Sequence, residues 1–406
     1  MAKSTVPPSP FAPERLPEMP QVAGVKFAAC AAGIRYAGRT DLMLAVLNPG
    51  TTVAGVLTRS KTSSAPVLWC RQNLAKGQAR ALVVNSGNAN AFTGKKGAEA
   101  TRMTAAAAAA AVDCAPDEVY VSSTGVIGEP LDASKFAHLL EGLAKAAAPD
   151  AWHAAARAIM TTDTFPKLAA RAVRLGNADV VINGFAKGAG MIAPDLATML
   201  VYIFTDAAIG APQLDRMLRD AAHVSFNMLS VDSDTSTSDT CVLMANGMAG
   251  AVDAAEFASV LTAGCIRMTE MLARDGEGAK HLLRATVRGA ATESEARRIA
   301  KSLVNSPLVK TMVYGADPNV GRILMAVGKC FDCTLRPEST DAWINGHSVV
   351  RGGLRLDFDE AELRTALAAE TVDIGVSLGI ADGTATAYGC DLTPGYIEEN
   401  AAYYSS

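Results

Sequence analysis

Apolar runs with β-rich composition alternate along the chain with amphipathic stretches of helical period, and most of the runs end in polar, glycine-bearing segments. Read by period and length, strands are expected at Ala79–Val84, Val119–Val121, Leu168–Leu175, Ala178–Ile182, His281–Val287, Thr371–Leu378 and Thr384–Cys390. The run from Met199 to Phe204 reads as one more buried strand. Helices are expected at Ala65–Lys76, Gly97–Val112, Asp132–Ala147, Pro149–Met160, Ala211–His223, Ala254–Leu272, Glu293–Leu303 and Asp359–Ala369. Two β-rich runs between Asp41 and Arg59 flank Asn48-Pro49-Gly50 and predict a hairpin. Residues 1 to about 20 carry six prolines from Pro7 to Pro20 and read as an extended arm. Asn305–Ile323 reads as a polar loop leading into a helix from Val320, and Gly395–Ser406 as a polar tail. The mixture points to a layered α+β fold rather than a regular βαβ array.

Composition narrows the function classes. The chain has 406 residues, 50% of them hydrophobic and 19% charged, with a net charge of −4, which argues against nucleic acid or an anionic membrane as partner. No apolar segment reaches the roughly 18 residues of a membrane span. The N-terminus lacks the apolar core of a secretory signal, so a cytoplasmic protein is expected. Its eight cysteines are dispersed, and Cys330/Cys333 has CxxC spacing without a second pair or close histidines, so no metal is expected. The five histidines show no paired spacing, so a general base need not be an imidazole.

Candidate chemistry concentrates in KGAGMIAPDLATML, Lys187 to Leu200. Gly188-Ala-Gly190-Met-Ile-Ala193 fits GxGxxA, but a dinucleotide site needs a helix after its glycines, and Pro194 with a short β-like run leaves no room for one. Two readings remain. The stretch is either a plain connection between strands, with Thr198 present for its β propensity, or the small-residue-then-threonine junction that an N-terminal nucleophile requires. Asp232 and Asp234 have the spacing of a calcium loop, but Thr237 stands where the turn glycine belongs and no Glu closes it.

Two further loops, Asn85–Asn90 and Ser122–Gly128, leave strands rich in hydroxyls, amides and glycine. Backbone N–H groups in such loops can face an anion or oxyanion, or the loops are ordinary strand-to-helix turns.

Taken together, seven stretches resemble one family. They are VNSGNANAFTG (84–94), SSTGVIGEPL (122–131), MTTDTFPK (160–167), KGAGMIAPDLATML (187–200), RDGEGA (274–279), NSPLVKTMVYGADPNVGRI (305–323) and IEENAAYYS (397–405). Their order over nearly the whole chain is similar to that of the ornithine acetyltransferases, the bifunctional glutamate N-acetyltransferases of arginine biosynthesis.

The resemblance implies an N-terminal-nucleophile-like α+β fold that cuts itself between Ala197 and Thr198, giving an α chain of 1–197 and a β chain of 198–406. Thr198 is then nucleophile and, through its new α-amine, base. Thr124 and Gly125 match the oxyanion-hole pair. Thr161, Lys187, Thr198, Glu277, Asn400 and Ser405 match substrate-contacting positions, with the registers Thr161/Thr162 and Ser405/Ser406 open. The implied reaction is ping-pong transfer of acetyl from N2-acetyl-L-ornithine to L-glutamate, in an α2β2 assembly without a cofactor. Acetyl-CoA stays open as a second donor. The alternative is a self-processing aminopeptidase or amidohydrolase of the same fold, in which water takes the acyl group.

Overall fold

The structure is a computed structural model that describes residues 7–193 and 199–401. Strand β8 (Leu200–Ala208) explains its layering. It is bonded antiparallel to β7 (Ala178–Lys187) and parallel to β10 (Thr240–Ala251). Successive side chains leave opposite faces of a strand. Tyr202 and Phe204 therefore enter one core while Val201 and Ile203 enter another. Both faces are covered, which is why the sequence here is an unbroken apolar run.

Among the described residues the strands form three sheets. The five-stranded sheet has the order β3 (Thr52–Leu57), β10, β8, β7, β6 (Lys167–Leu175). The four-stranded sheet runs β1 (Val25–Cys30), β2 (Leu42–Leu47), β4 (Ala81–Asn88), β5 (Val119–Val126). These two pack face to face over an aromatic cluster in which Phe27 meets Trp152 at 4.4 Å and Phe204 at 5.1 Å between ring centroids. Such edge-on pairs each add about 0.5–1.5 kcal/mol beyond their area. The outer face of the four-stranded sheet is covered by helix Gly94–Val112 through small side chains, among them Ala105, Ala108 and Ala109.

On the far side of the five-stranded sheet lies helix Ala254–Arg274, capped by Asp253 on the N–H groups of Ala255 and Glu256. Its buried stripe Phe257, Leu261, Cys265, Met268, Leu272 keeps helical spacing. This helix also packs on the third sheet. That sheet is ordered β14 (Leu354–Arg355), β13 (His347–Arg351), β12 (Asp341–Ile344), β15 (Thr371–Ser377), β11 (Leu282–Ala290), β16 (Gly383–Cys390), β9 (Leu229–Ser230). The layered α+β expectation holds.

Several local expectations do not. The Asp41–Arg59 hairpin is absent: β2 pairs with β1 and β4 while β3 pairs with β10, so Asn48-Pro49-Gly50 sends the chain from one sheet to another. Strands β4 and β5 run on through the polar residues read as loops, because parallel pairing of Asn85 with Ser123 and of Ser86 with Thr124 satisfies that backbone in the interior. Residues Pro307–Tyr314 form a helix capped by the Ser306 side chain, inside the segment read as a polar loop. The hairpin of β12 and β13 turns on Asn345 and Gly346, both at positive φ (46° and 85°), a two-residue turn signal the apolar pattern passed over. The tail's first part is a helix, Pro394–Ala401.

Among the described residues no helix is long and apolar enough to cross a membrane, and no group of three or more His, Cys, Asp or Glu is placed to hold a metal ion.

Candidate active site

The carboxyl ends of β5 and β7 converge where the four- and five-stranded sheets meet. Thr124 belongs to β5 and Lys187 is the last residue of β7, two residues that the chain separates by 63 positions. The Lys187 ammonium donates to Thr161 Oγ1 at 2.6 Å and to Thr124 Oγ1 at 3.3 Å. An ammonium has three donors and no acceptor. Thr124 and Thr161 therefore receive hydrogen bonds from it, and each keeps a hydroxyl proton to give elsewhere.

Gly125 is required at its position. Its φ is +131°, and a Cβ there would stand 2.3 Å from the Gly87 carbonyl carbon and 2.6 Å from the Asn88 nitrogen, where β4 bulges against β5. The backbone of β4 and β5 thus approaches more closely than any side chain allows, and Thr124 and Gly125 of β5 line the cavity.

Glu277 arrives from the end of helix Ala254–Arg274. Its N–H donates to the Ala189 carbonyl at 2.9 Å, which locks it to the glycine loop after β7. Its carboxylate accepts from Asn400 Nδ2 at 2.7 Å, and Thr162 lines the same cavity. The loop is held from below by Asp232, whose carboxylate accepts the N–H groups of Met191 at 2.6 Å and Ile192 at 2.8 Å. The acidic segment that fails as a calcium loop is thus a clamp on the stretch Lys187–Ala193. One cavity is lined by Thr124, Gly125, Thr161, Thr162, Lys187 and Glu277, with Asn400, Met199 and Ser236–Asp239 completing its wall.

The charges in this wall are buried and therefore shifted. Burial pulls the Lys187 ammonium below its ordinary value, with Asp163 and Glu277 opposing. Burial pushes the Glu277 carboxyl up, against the hydrogen bonds from Asn400 and Thr162. Burial would also raise Asp163, but Lys167, Lys187 and its hydrogen bonds outweigh it and hold the carboxyl well below the usual carboxylate range.

The structure brings together five of the residues singled out by sequence, Thr124, Gly125, Thr161, Lys187 and Glu277, with Asn400 on the cavity's rim. At the open register 161/162, Thr161 bonds Lys187 and both threonines line the cavity. Ala197, Thr198 and Ser405 lie outside the described residues, although Met199, next in the chain to Thr198, lines the cavity. Sequence reasoning missed Asp163, Lys167, Asp232 and Asp275 as parts of the site. Asp163 and Lys167 stand four apart in MTTDTFPK, and Asp275 stands in RDGEGA, so position in the family-like stretches was the available signal.

With this geometry in hand, comparison with known proteins is direct. A profile described as the ArgJ family matches residues 26–405. The arginine biosynthesis bifunctional protein ArgJ of Nitrobacter winogradskyi is 51% identical over 98% of this chain and 99% of its own. That of Bradyrhizobium diazoefficiens is 50% identical over the same shares. Among solved structures, a Bacillus halodurans ArgJ is 39% identical, covering 50% of this chain and 98% of that one, with a TM-score of 0.48. A Mycobacterium tuberculosis ornithine acetyltransferase complexed with ornithine is 38% identical, covering 43% and 94%, with a TM-score of 0.39.

Proposed function

This chain belongs to the ArgJ family and is an acyltransferase of arginine biosynthesis, and we propose that it carries acetyl from N2-acetyl-L-ornithine to L-glutamate through an ester on Thr198. The observation that carries the reading is the cavity itself. It sets a buried cation, Lys187, and a buried anion, Glu277, in one wall, with paired hydroxyls between them and Met199 at its border. An α-amino-acid substrate offers the complementary pair, a carboxylate for Lys187 and an ammonium or amide for Glu277 and Asn400.

The chemistry begins with the chain's own bond. The Thr198 hydroxyl attacks the Ala197 carbonyl, the acyl group shifts from nitrogen to oxygen, and water cleaves the resulting ester. This leaves chains 1–197 and 198–406, the second starting with a free α-amine whose unperturbed pKa lies near 8. That amine takes the hydroxyl proton as Thr198 attacks the acetyl carbonyl of acetylornithine. The tetrahedral oxyanion is met by the Thr124 hydroxyl, whose oxygen already accepts from Lys187, and by the Gly125 N–H. Collapse expels ornithine with the returned proton and leaves acetyl-Thr198. The glutamate α-amine then attacks that ester and regenerates the hydroxyl. Loss of one oxyanion donor of this kind costs about 10²–10³ in rate. No cofactor takes part, and the enzyme works in the cytoplasm as an α2β2 assembly.

The test is N-acetylglutamate formation by purified enzyme, with acetylornithine and acetyl-CoA offered separately as donor. Transfer from acetylornithine, abolished in Thr198→Ala, is expected. Acetylornithine consumed only to free acetate would replace the transferase by a hydrolase of the same nucleophile. The acetyl-CoA arm decides whether the chain has both activities.

A further inference from the structure

Three separate segments of the site meet on one buried ammonium that the chemistry above does not use. Lys167, the first residue of β6, is fully buried, donates to Asp163 Oδ1 at 2.5 Å and bonds Asp275. Its Nζ lies 5.1 Å from the Phe165 ring centroid. Asp163 is engaged on all sides: it accepts the Thr161 N–H at 3.0 Å and the Gly188 N–H at 2.6 Å, and Lys187 Nζ stands 3.9 Å away. Asp275 accepts the Thr164 N–H at 2.9 Å and its hydroxyl, and two residues on, the chain delivers Glu277. One cation therefore ties the Thr161–Thr162 turn, the Lys187–Gly188 loop and the Glu277 segment.

The balance of charge gives this cation a specific effect on Lys187. Asp163 has two ammonium neighbours, the nearer being Lys167 at 2.5 Å and the farther Lys187 at 3.9 Å. Attraction falls with distance, so Lys167 holds Asp163 and leaves Lys187 turned toward the Thr161 and Thr124 hydroxyls. Without Lys167, Asp163 would draw Lys187 into direct contact and away from the cavity, while Asp275 would lose the anchor that fixes the approach of Glu277.

We propose that Lys167 is a positioning residue for substrate binding, which sets the placement of Lys187 and Glu277 through the carboxylates of Asp163 and Asp275. The proposal rests on the acetyl-transfer reading, since it assigns Lys187 and Glu277 to the substrate. It also crosses the proposed cleavage, with Asp163 and Lys167 on the first chain and Asp275 on the second.

The experiment is steady-state kinetics on Lys167→Met/Asp275→Asn, which removes one buried charge of each sign and leaves Asp163 facing Lys187 alone. The wild-type enzyme is assayed first: no acetyl transfer there strikes the functional reading, not this inference. In the folded double variant the KM for acetylornithine and for glutamate should each rise about tenfold or more, with kcat changed much less, as when binding groups are misplaced. A purely structural Lys167 would lower melting temperature and leave both KM values alone, and that result overturns the proposal. If the double variant is recovered unfolded, Asp275→Asn decides. It is isosteric and keeps the Lys167–Asp163 pair, and a wild-type KM for both substrates in it is likewise a refutation.

Discussion

A methyl group on Gly190 would lie 2.3 Å from Glu277 Oε2. The glycine is there to admit the carboxylate, since its own φ is not in the left-handed region. Gly190→Ala should therefore fold, because the end of a Glu side chain can swing aside, yet bind poorly, because that carboxylate is the group proposed to meet the substrate's ammonium. We expect a melting temperature within a few degrees of wild type and a KM raised roughly tenfold for both substrates. A matched thermal melt and kinetic assay checks both parts.

Gly125→Ala should behave in the opposite manner. Here the added Cβ meets backbone at 2.3 Å, and backbone cannot swing. The φ of +131° alone costs an L-residue about 1–3 kcal/mol. Urea unfolding should show a loss of at least that size together with lost activity.

The pH profile follows from Glu277. Burial raises its carboxyl above the ordinary carboxylate value, and nearby Asp232 adds to the rise, while Asn400, Thr162 and Lys187 oppose it. The anion is the form that holds an ammonium, so kcat/KM should fall on the acid side about an inflection higher than that of an ordinary Glu carboxyl. Asn400→Ala removes a donor that favours the anion and should move the inflection upward. Glu399, pushed up to about 7 by burial and by the charge of Glu277, titrates close by, so Glu399→Gln is the control. The stability sign is opposite to the kinetic one. A raised carboxyl favours folding fully below its unfolded pKa and loses that contribution as pH rises through the folded one. Glu277→Gln should accordingly be more stable than wild type at pH ~8, with the difference gone below pH ~4.

Asp163 runs the other way. Its pKa is depressed, so its pairing stabilises the fold above the unfolded value near 4 and is lost as pH falls through the lower folded value. Asp163→Asn should cost about 3–5 kcal/mol at neutral pH, the usual penalty for stranding a buried partner. The deficit should shrink below pH ~4, and denaturant melts across that range measure it.

What the sequence made legible divides along physical lines. The run from Met199 to Phe204 was readable because a strand buried on both faces must be apolar throughout. Ser86, Asn88, Ser122 and Thr124 were misread as loop because polar composition signals solvent only when the backbone lacks a partner, and parallel pairing of β4 with β5 supplies one. The split of β2 from β3 depends on which sheets later strands complete, a fact at least 183 positions away, where Thr240 of β10 pairs with Leu57. Of the site, Lys187 and Glu277 were found by resemblance, but nothing local says that Asp163 and Asp275 share Lys167, since residues 163 and 275 meet only through the fold.

On the proposed reaction, Thr198 becomes a chain end and carries the acetyl group. Intact-mass and peptide mass spectrometry of the purified enzyme, quenched in acid after brief exposure to acetylornithine without glutamate, tests it most directly. Two chains are expected, 1–197 and 198–406, with one acetyl group on the threonine that opens the second and its loss on adding glutamate. A single uncut chain of 406 residues, or acetyl transfer to glutamate with no acetylated Thr198 at any time, would contradict it.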